Sequence, residues 1–197
     1  MDPLDTPLQS VFTAHVDAVY RTLDTLYSEV TRAVELLSSS LLAGRRILVC
    51  GIGLGTTLAQ GFAAVMLNRT RMDRPALPVI LIGTEAAANG AIAESYGIGE
   101  VFSRQVRALG EAGDVLLLIH ASGNVATLGP AINAAHAREM HLIVLSADRG
   151  DPASMMLARA DIELPVPVQD PLRAFECQQL LLDAMAELLE IQLFGAD

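Results

Sequence analysis

The sequence predicts an α/β fold, a three-layer α/β/α sandwich built on a parallel sheet, and three observations carry that expectation. First, short apolar runs bounded by Gly, Pro, Asp or Ser recur at residues 47–50, 79–82, 115–119, 142–145 and 162–164. They read as strands buried on both faces, hence parallel. Second, helical patterns fall between them at 85–95, 101–109, 127–138 and 152–159. Strand alternating with helix implies a doubly wound sheet with right-handed crossovers. Third, the stretch from Ile47 to Asn68 holds no Asp, Glu, Arg, Lys or His, and reads as strand, glycine turn and helix.

The elements follow in order. From about residue 8 to 42, Phe12, Val16, Val19, Leu23, Leu26, Val30, Val34 and Leu37 keep three- and four-residue spacings. That is a long amphipathic helix, or two, preceding the sheet. The strand at 47–50 leads into Gly51-Ile52-Gly53-Leu54-Gly55 and a helix opened by Thr56 and Thr57. Pro165 and Pro167 mark a loop, and residues 172–194 form a long final helix. At 197 residues the chain fits one domain, 1–197, with residues 1–43 as an N-terminal helical region packing on the sheet. The 47–68 run is broken by its glycines, its Thr pair and Gln60, so it reads as buried strand–turn–helix rather than a membrane span.

Charge and inventory exclude several function classes. The net charge is −10, and all thirteen basic residues are Arg. Without Lys there is no Schiff-base or Lys-base chemistry. The acidic balance argues against direct nucleic-acid binding, and no membrane contact is expected. Arg45-Arg46 and Arg69, Arg71 and Arg74 read as element ends or solvated faces. The two cysteines, Cys50 and Cys177, form no metal or disulfide pattern, and the acidic N-terminus lacks a signal peptide's basic region. A reducing cytoplasm is the expected location.

Ligands of such sheets gather at the carboxyl ends of the strands. Two loops there suit a phosphate. Gly51, Gly53 and Gly55 permit positive φ, and the helix start at Thr56 presents unpaired N–H groups to an anion. Ser122, Gly123 and Asn124, after the strand at 115–119, offer a hydroxyl and backbone N–H groups, or a plain turn and helix cap. A dinucleotide fingerprint is not met: the spacing is G-x-G-x-G, and the acid some twenty residues on, Asp73, lies in a loop. Nothing within 47–68 can move a proton, since Cys50 in an apolar strand reads as inert core.

Several segments together resemble the sugar isomerase (SIS) domain family, in its phosphoheptose isomerase/DiaA branch. They are Cys50-Gly51-x-Gly53, Asn68-Arg69 with Arg74-Pro75-x-Leu77-Pro78, the block from Glu100 to Gly110, Gly113-Asp114-Val115-Leu116-Leu117, Ser122-Gly123-Asn124 and Gln192-Leu193-Phe194. The resemblance implies a Rossmann-like sheet of five parallel strands, a homotetramer with the long N- and C-terminal helices at the interface, and phosphosugar binding near that interface. Isomerases of the branch convert sedoheptulose 7-phosphate to a heptose 7-phosphate. DiaA-type members bind the replication initiator DnaA.

Residue by residue, the resemblance places a polar Ser at Gly55, a metal-liganding His at Gly61, the catalytic Glu at Val65, a Gln at Phe175 and the catalytic His at Asp183. Isomerisation moves a proton between adjacent carbons, and Val65 cannot do so. Gly61, Val65 and Phe175 remove three metal ligands, so no metal or other cofactor is expected. The expectation is therefore a non-catalytic, DiaA-like adaptor in DNA replication initiation, with DnaA as partner and Leu193 and Phe194 as its contact; the alternative is a phosphoheptose isomerase or a phosphosugar-sensing regulator. Asp183 and His120 are the candidate substitute proton carriers. His15, His136 and His141 show no partner in the sequence and read as structural or exposed.

Overall fold

The structure, a computed structural model, describes residues 5–69, 71–120, 127–147 and 154–195. Each expected apolar run is a strand: β1 (Ile47–Ile52), β2 (Val79–Leu81), β3 (Val115–His120), β4 (His141–Ser146) and β5 (Ile162–Pro165). They pair in parallel in the order β2-β1-β3-β4-β5. Side chains alternate across the sheet, and both alternating sets are apolar because helices cover both faces. Val49, Leu117, Ile119, Ile143 and Leu164 face α1 (Asp5–Leu42), α2 (Leu54–Leu67) and α6 (Pro171–Phe194). Leu48, Cys50, Leu116, Leu118 and Val144 face α4 (Glu100–Leu109) and α5 (Leu128–Ala137), while α3 (Ala86–Tyr96) packs on α4. This is the expected three-layer α/β/α sandwich.

The N-terminal region, expected as one long helix or two, is one; two other elements differ from expectation. The N-terminal helix has 38 residues and is roughly 57 Å long at 1.5 Å per residue. Its core-facing positions begin only at Ala18, so its first turns outrun the sheet. The helix after the glycine turn starts at Leu54, because Gly53 (φ 58°) already acts as its cap. Of the helix expected at 152–159, the described residues hold a 3-10 turn, Ser154–Met156, and Asp161 Oδ2 accepts the Ala158 N–H at 2.7 Å.

Two buried carboxylates fix the scaffold. Asp114, at the amino end of β3, accepts from the Arg46 backbone N–H (2.9 Å), the Glu111 N–H (3.0 Å) and the Arg46 guanidinium (3.3 Å). Glu190 on α6 meets Arg74 Nε at 2.6 Å, with both side chains at 3% exposure or less, and accepts the N–H groups of Arg71 and Met72. Arg74 is thus core rather than solvated face, and its remaining donors reach the carbonyls of Val65, Met66 and Pro75. No helix among the described residues is long and apolar enough to cross a membrane.

Candidate functional site

The strand order places a topological switch between β1 and β3: the chain leaves β1 on one face and β3 on the other, which opens a crevice at their carboxyl ends. The glycine turn departs from β1 at that point, paired in register through Ile52↔His120. A Cβ on Gly51 would overlap the Gly55 carbonyl, so the turn can close only with glycine there. Gly55 is buried inside α2, where a Cβ would stand 2.5 Å from the Ile119 carbonyl oxygen. Thr56 Oγ1 donates to the Gly51 carbonyl at 2.8 Å, and Thr56 N–H to the Gly53 carbonyl at 3.1 Å. The Thr56 hydroxyl hydrogen therefore ties the turn rather than pointing at a ligand. The α2 start has no side-chain cap and no acidic residue in its first turn. A helix start of this kind can seat an anion through backbone N–H groups and the helix dipole. Ser122, Gly123 and Asn124 lie outside the described residues.

The two candidate proton carriers are not brought together. His120 ends β3, buried, two residues on from Leu118 and so on the face that carries α4 and α5. Asp183 is on α6, in the opposite layer, exposed, with Gln179 Nε2 donating to it at 2.8 Å. Gly61 on α2 looks across at the same Gln179, whose Oε1 is 4.0 Å from where its Cβ would be. Gly61 and Val65 bring no ligating atom to this part of the α2–α6 interface. Among the described residues no group of three His, Cys, Asp or Glu gathers anywhere.

What sequence reasoning missed lies between α1 and α6, on the same edge of the molecule. Asp170 caps α6, accepting from Leu172 N–H (2.9 Å) and Arg173 N–H (3.1 Å), with Pro171 as the first helical residue. That start sets Arg173 and Glu176 one turn apart. Glu176 Oε2 meets Arg173 Nη1 at 2.8 Å and His15 Nδ1 at 2.6 Å. His15 therefore has a partner, 161 residues away in sequence. His136 has one too, Asp161 Oδ2 at 2.8 Å. Two residues beyond Glu176, on the opposite side of α6, buried Gln178 donates to the His120 carbonyl at 3.1 Å, joining α6 to the end of β3. Its Oε1 is buried without a partner among the described residues, the kind of acceptor that a water or ligand hydroxyl satisfies.

Both thiols are inert at neutral pH: burial pushes Cys50 from its ordinary 9.0 up to about 12, and burial chiefly raises Cys177 as well. Leu193 is partly buried against the core, whereas Phe194 is 42% exposed.

A SIS domain model matches residues 11–147. The chain belongs to the SIS domain family. It is 40% identical over 168 residues to the phosphoheptose isomerase of Azoarcus sp. (strain BH72), covering 85% of each chain. Its fold superposes on a phosphoheptose isomerase from Francisella tularensis with a TM-score of 0.89 at 32% identity, over 96% of this chain and 98% of that one. The phosphoheptose isomerase of Neisseria gonorrhoeae gives 0.87 at 36% identity, over 95% and 98%. These findings overturn the expectation of a non-catalytic DiaA-type adaptor serving DnaA: the relatives that match along nearly the full chain are named as isomerases. The departures at 61, 65 and 183 point to loss of function, which identity along nearly the whole chain does not favour.

Proposed function

We propose that this SIS-domain chain is a phosphosugar isomerase of the phosphoheptose class, interconverting a ketose phosphate such as sedoheptulose 7-phosphate and its aldose isomer. The observation that carries the reading is the 40% identity to a phosphoheptose isomerase over 85% of both chains. The geometry supports it at the β1/β3 crevice. Backbone N–H groups around Gly53 to Gly55 seat the phosphate, the Thr56 N–H being spent on the Gly53 carbonyl; Ser122, Gly123 and Asn124, outside the described residues, are the candidate second loop. The sugar chain then extends along the α6 edge, where the polar side chains are. Because Gly61 and Val65 carry no ionisable group, the proton moves on groups elsewhere in the cleft. The two buried, unpaired cysteines accord with a cytoplasmic setting.

The test is direct. Purified protein incubated with sedoheptulose 7-phosphate is expected to form an aldose phosphate, and to gain thermal stability with ligand as RT ln(1 + [L]/Kd). Stabilisation without turnover would remove the isomerase reading and leave a binding protein. Neither effect at millimolar ligand would remove both.

A further inference from the structure

The isomerase reading needs a base; of the positions where the family resemblance would put one, 65 is Val, and 183 is an exposed Asp bonded by Gln179. A different arrangement meets the requirement. His15 Nδ1 and Glu176 Oε2 are 2.6 Å apart, and the same carboxylate oxygen is held by Arg173 Nη1 at 2.8 Å. With its Nδ1–H given to Glu176, the neutral imidazole presents Nε2 as a lone pair, and the carboxylate stabilises the imidazolium formed when that nitrogen takes a proton. No other hydrogen bond to His15 exists among the described residues, so Nε2 is uncommitted. The trio lines an open cavity of about 230 Å³, flanked on its apolar side by Val11 and Phe12. Through Arg173 this cavity adjoins a second cleft of about 540 Å³, whose lining includes Asp17, Arg21, Gln169 and Asp170. Carboxylates, an amide and guanidinium groups around one cleft suit a polyhydroxylated chain.

Resting on the isomerase reading, we infer that His15 is the proton-transfer base of this chain, with Glu176 orienting its ring and Arg173 holding Glu176. His15 Nε2 removes the proton from the hydroxyl-bearing carbon next to the carbonyl. The C–H electron pair becomes the carbon–carbon double bond of an enediol, and the carbonyl oxygen takes a proton from water. In the second half the imidazolium returns its proton to the neighbouring carbon. The first carbon's hydroxyl gives up its proton to water as the new C=O forms there. Protons and electrons balance, and no co-reactant is consumed.

The experiment compares the full-length wild type with His15→Ala, His15→Gln and Glu176→Gln on sedoheptulose 7-phosphate, reading kcat, KM, ligand-induced thermal shift and incorporation of solvent deuterium into the sugar. His136→Gln, which breaks the similar pair with Asp161 in another part of the fold, is the control. Loss of an acid–base group typically costs 10²–10⁴-fold. Both His15 variants are therefore expected to lose about 10²–10⁴-fold in kcat and their deuterium exchange, with KM and the thermal shift near wild type. Added imidazole should restore turnover to His15→Ala, which no structural role of His15 would produce. Glu176→Gln is expected to lower kcat by a smaller factor. Should the alanine variant misfold, the glutamine variant carries the comparison. Turnover in both His15 variants within three-fold of wild type, or a loss in His15→Ala that imidazole leaves untouched, would overturn the assignment while sparing the isomerase reading. An inactive wild type would overturn both.

Discussion

At the scale of single residues, two glycines of α2 that the family resemblance groups together as lost functional side chains have opposite physical reasons. Gly55 is there because of close approach: a Cβ would stand 2.5 Å from the Ile119 carbonyl oxygen and 3.1 Å from its carbon, both backbone atoms that cannot swing aside. Gly61 has room, its nearest neighbour being the end of the Gln179 side chain at 4.0 Å. Gly55→Ser is therefore expected to destabilise by about 1–3 kcal/mol, the range of an overpacked core. Gly61→Ala should stabilise by roughly 0.5–1 kcal/mol, the helix-propensity gap between the two residues. Urea denaturation of the two variants checks both signs, and a neutral or stabilising Gly55→Ser would show that α2 can back away from β3. A hydroxyl therefore cannot be put back at 55 without moving the turn proposed to seat the phosphate.

At the scale of elements, the α2–β2 connection is tied down from a distant helix. Arg74 and Glu190, both almost fully buried, join the segment after α2 to the last turns of α6. Glu190 also takes two backbone N–H groups of that segment. Removing one partner leaves a buried charge uncompensated, so Arg74→Leu or Glu190→Leu should each cost about 3–5 kcal/mol. The double variant should cost clearly less than the sum, a coupling that chemical denaturation of all four forms would measure; additivity would show that water already reaches the pair. This latch also marks what sequence can and cannot reveal. The strands were legible because both faces of a covered sheet are apolar, as at residues 115–119. The start of α2 was read two residues late, since Gly53 caps through its backbone and leaves no side-chain signature, while Thr56 looks like a cap and instead bonds back to Gly51. Arg74 read as surface because its charge is visible in sequence and its partner, 116 residues on, is not. His15 was passed over for the same reason. The glycine seat is local, and was legible; the His15–Glu176 pair is tertiary, and was not.

At the scale of the whole molecule, α1 leaves a surface that one chain cannot cover. Ahead of Ala18 it meets the rest of the protein chiefly through His15, yet Leu8 and Phe12 lie there at 57% and 65% exposure. Further along, Tyr20 and Tyr27 are 63% and 71% exposed, and α6 adds Leu180, Leu188 and Ile191. Leu8, Phe12, Val16, Tyr20, Leu23 and Tyr27 recur every three or four residues, one stripe of a helix that needs a partner. A groove of about 490 Å³ between Tyr27, Val34, Leu188 and Ile191 continues the same apolar surface. A second copy can cover such a stripe with itself by two-fold symmetry, and repeating that contact on the other helix yields a tetramer. The chain is therefore expected to sediment as a homotetramer at micromolar concentration. Phe12→Arg with Tyr20→Arg should drive it to smaller species, because each buried charge would face its symmetry mate. If assembly also encloses the His15 cavity, whose wall is Val11 and Phe12, the same double variant will lose kcat along with its quaternary state. Wild-type protein that sediments as a monomer and still turns over sugar phosphate would refute both parts, and would leave the projecting half of α1 without a physical account.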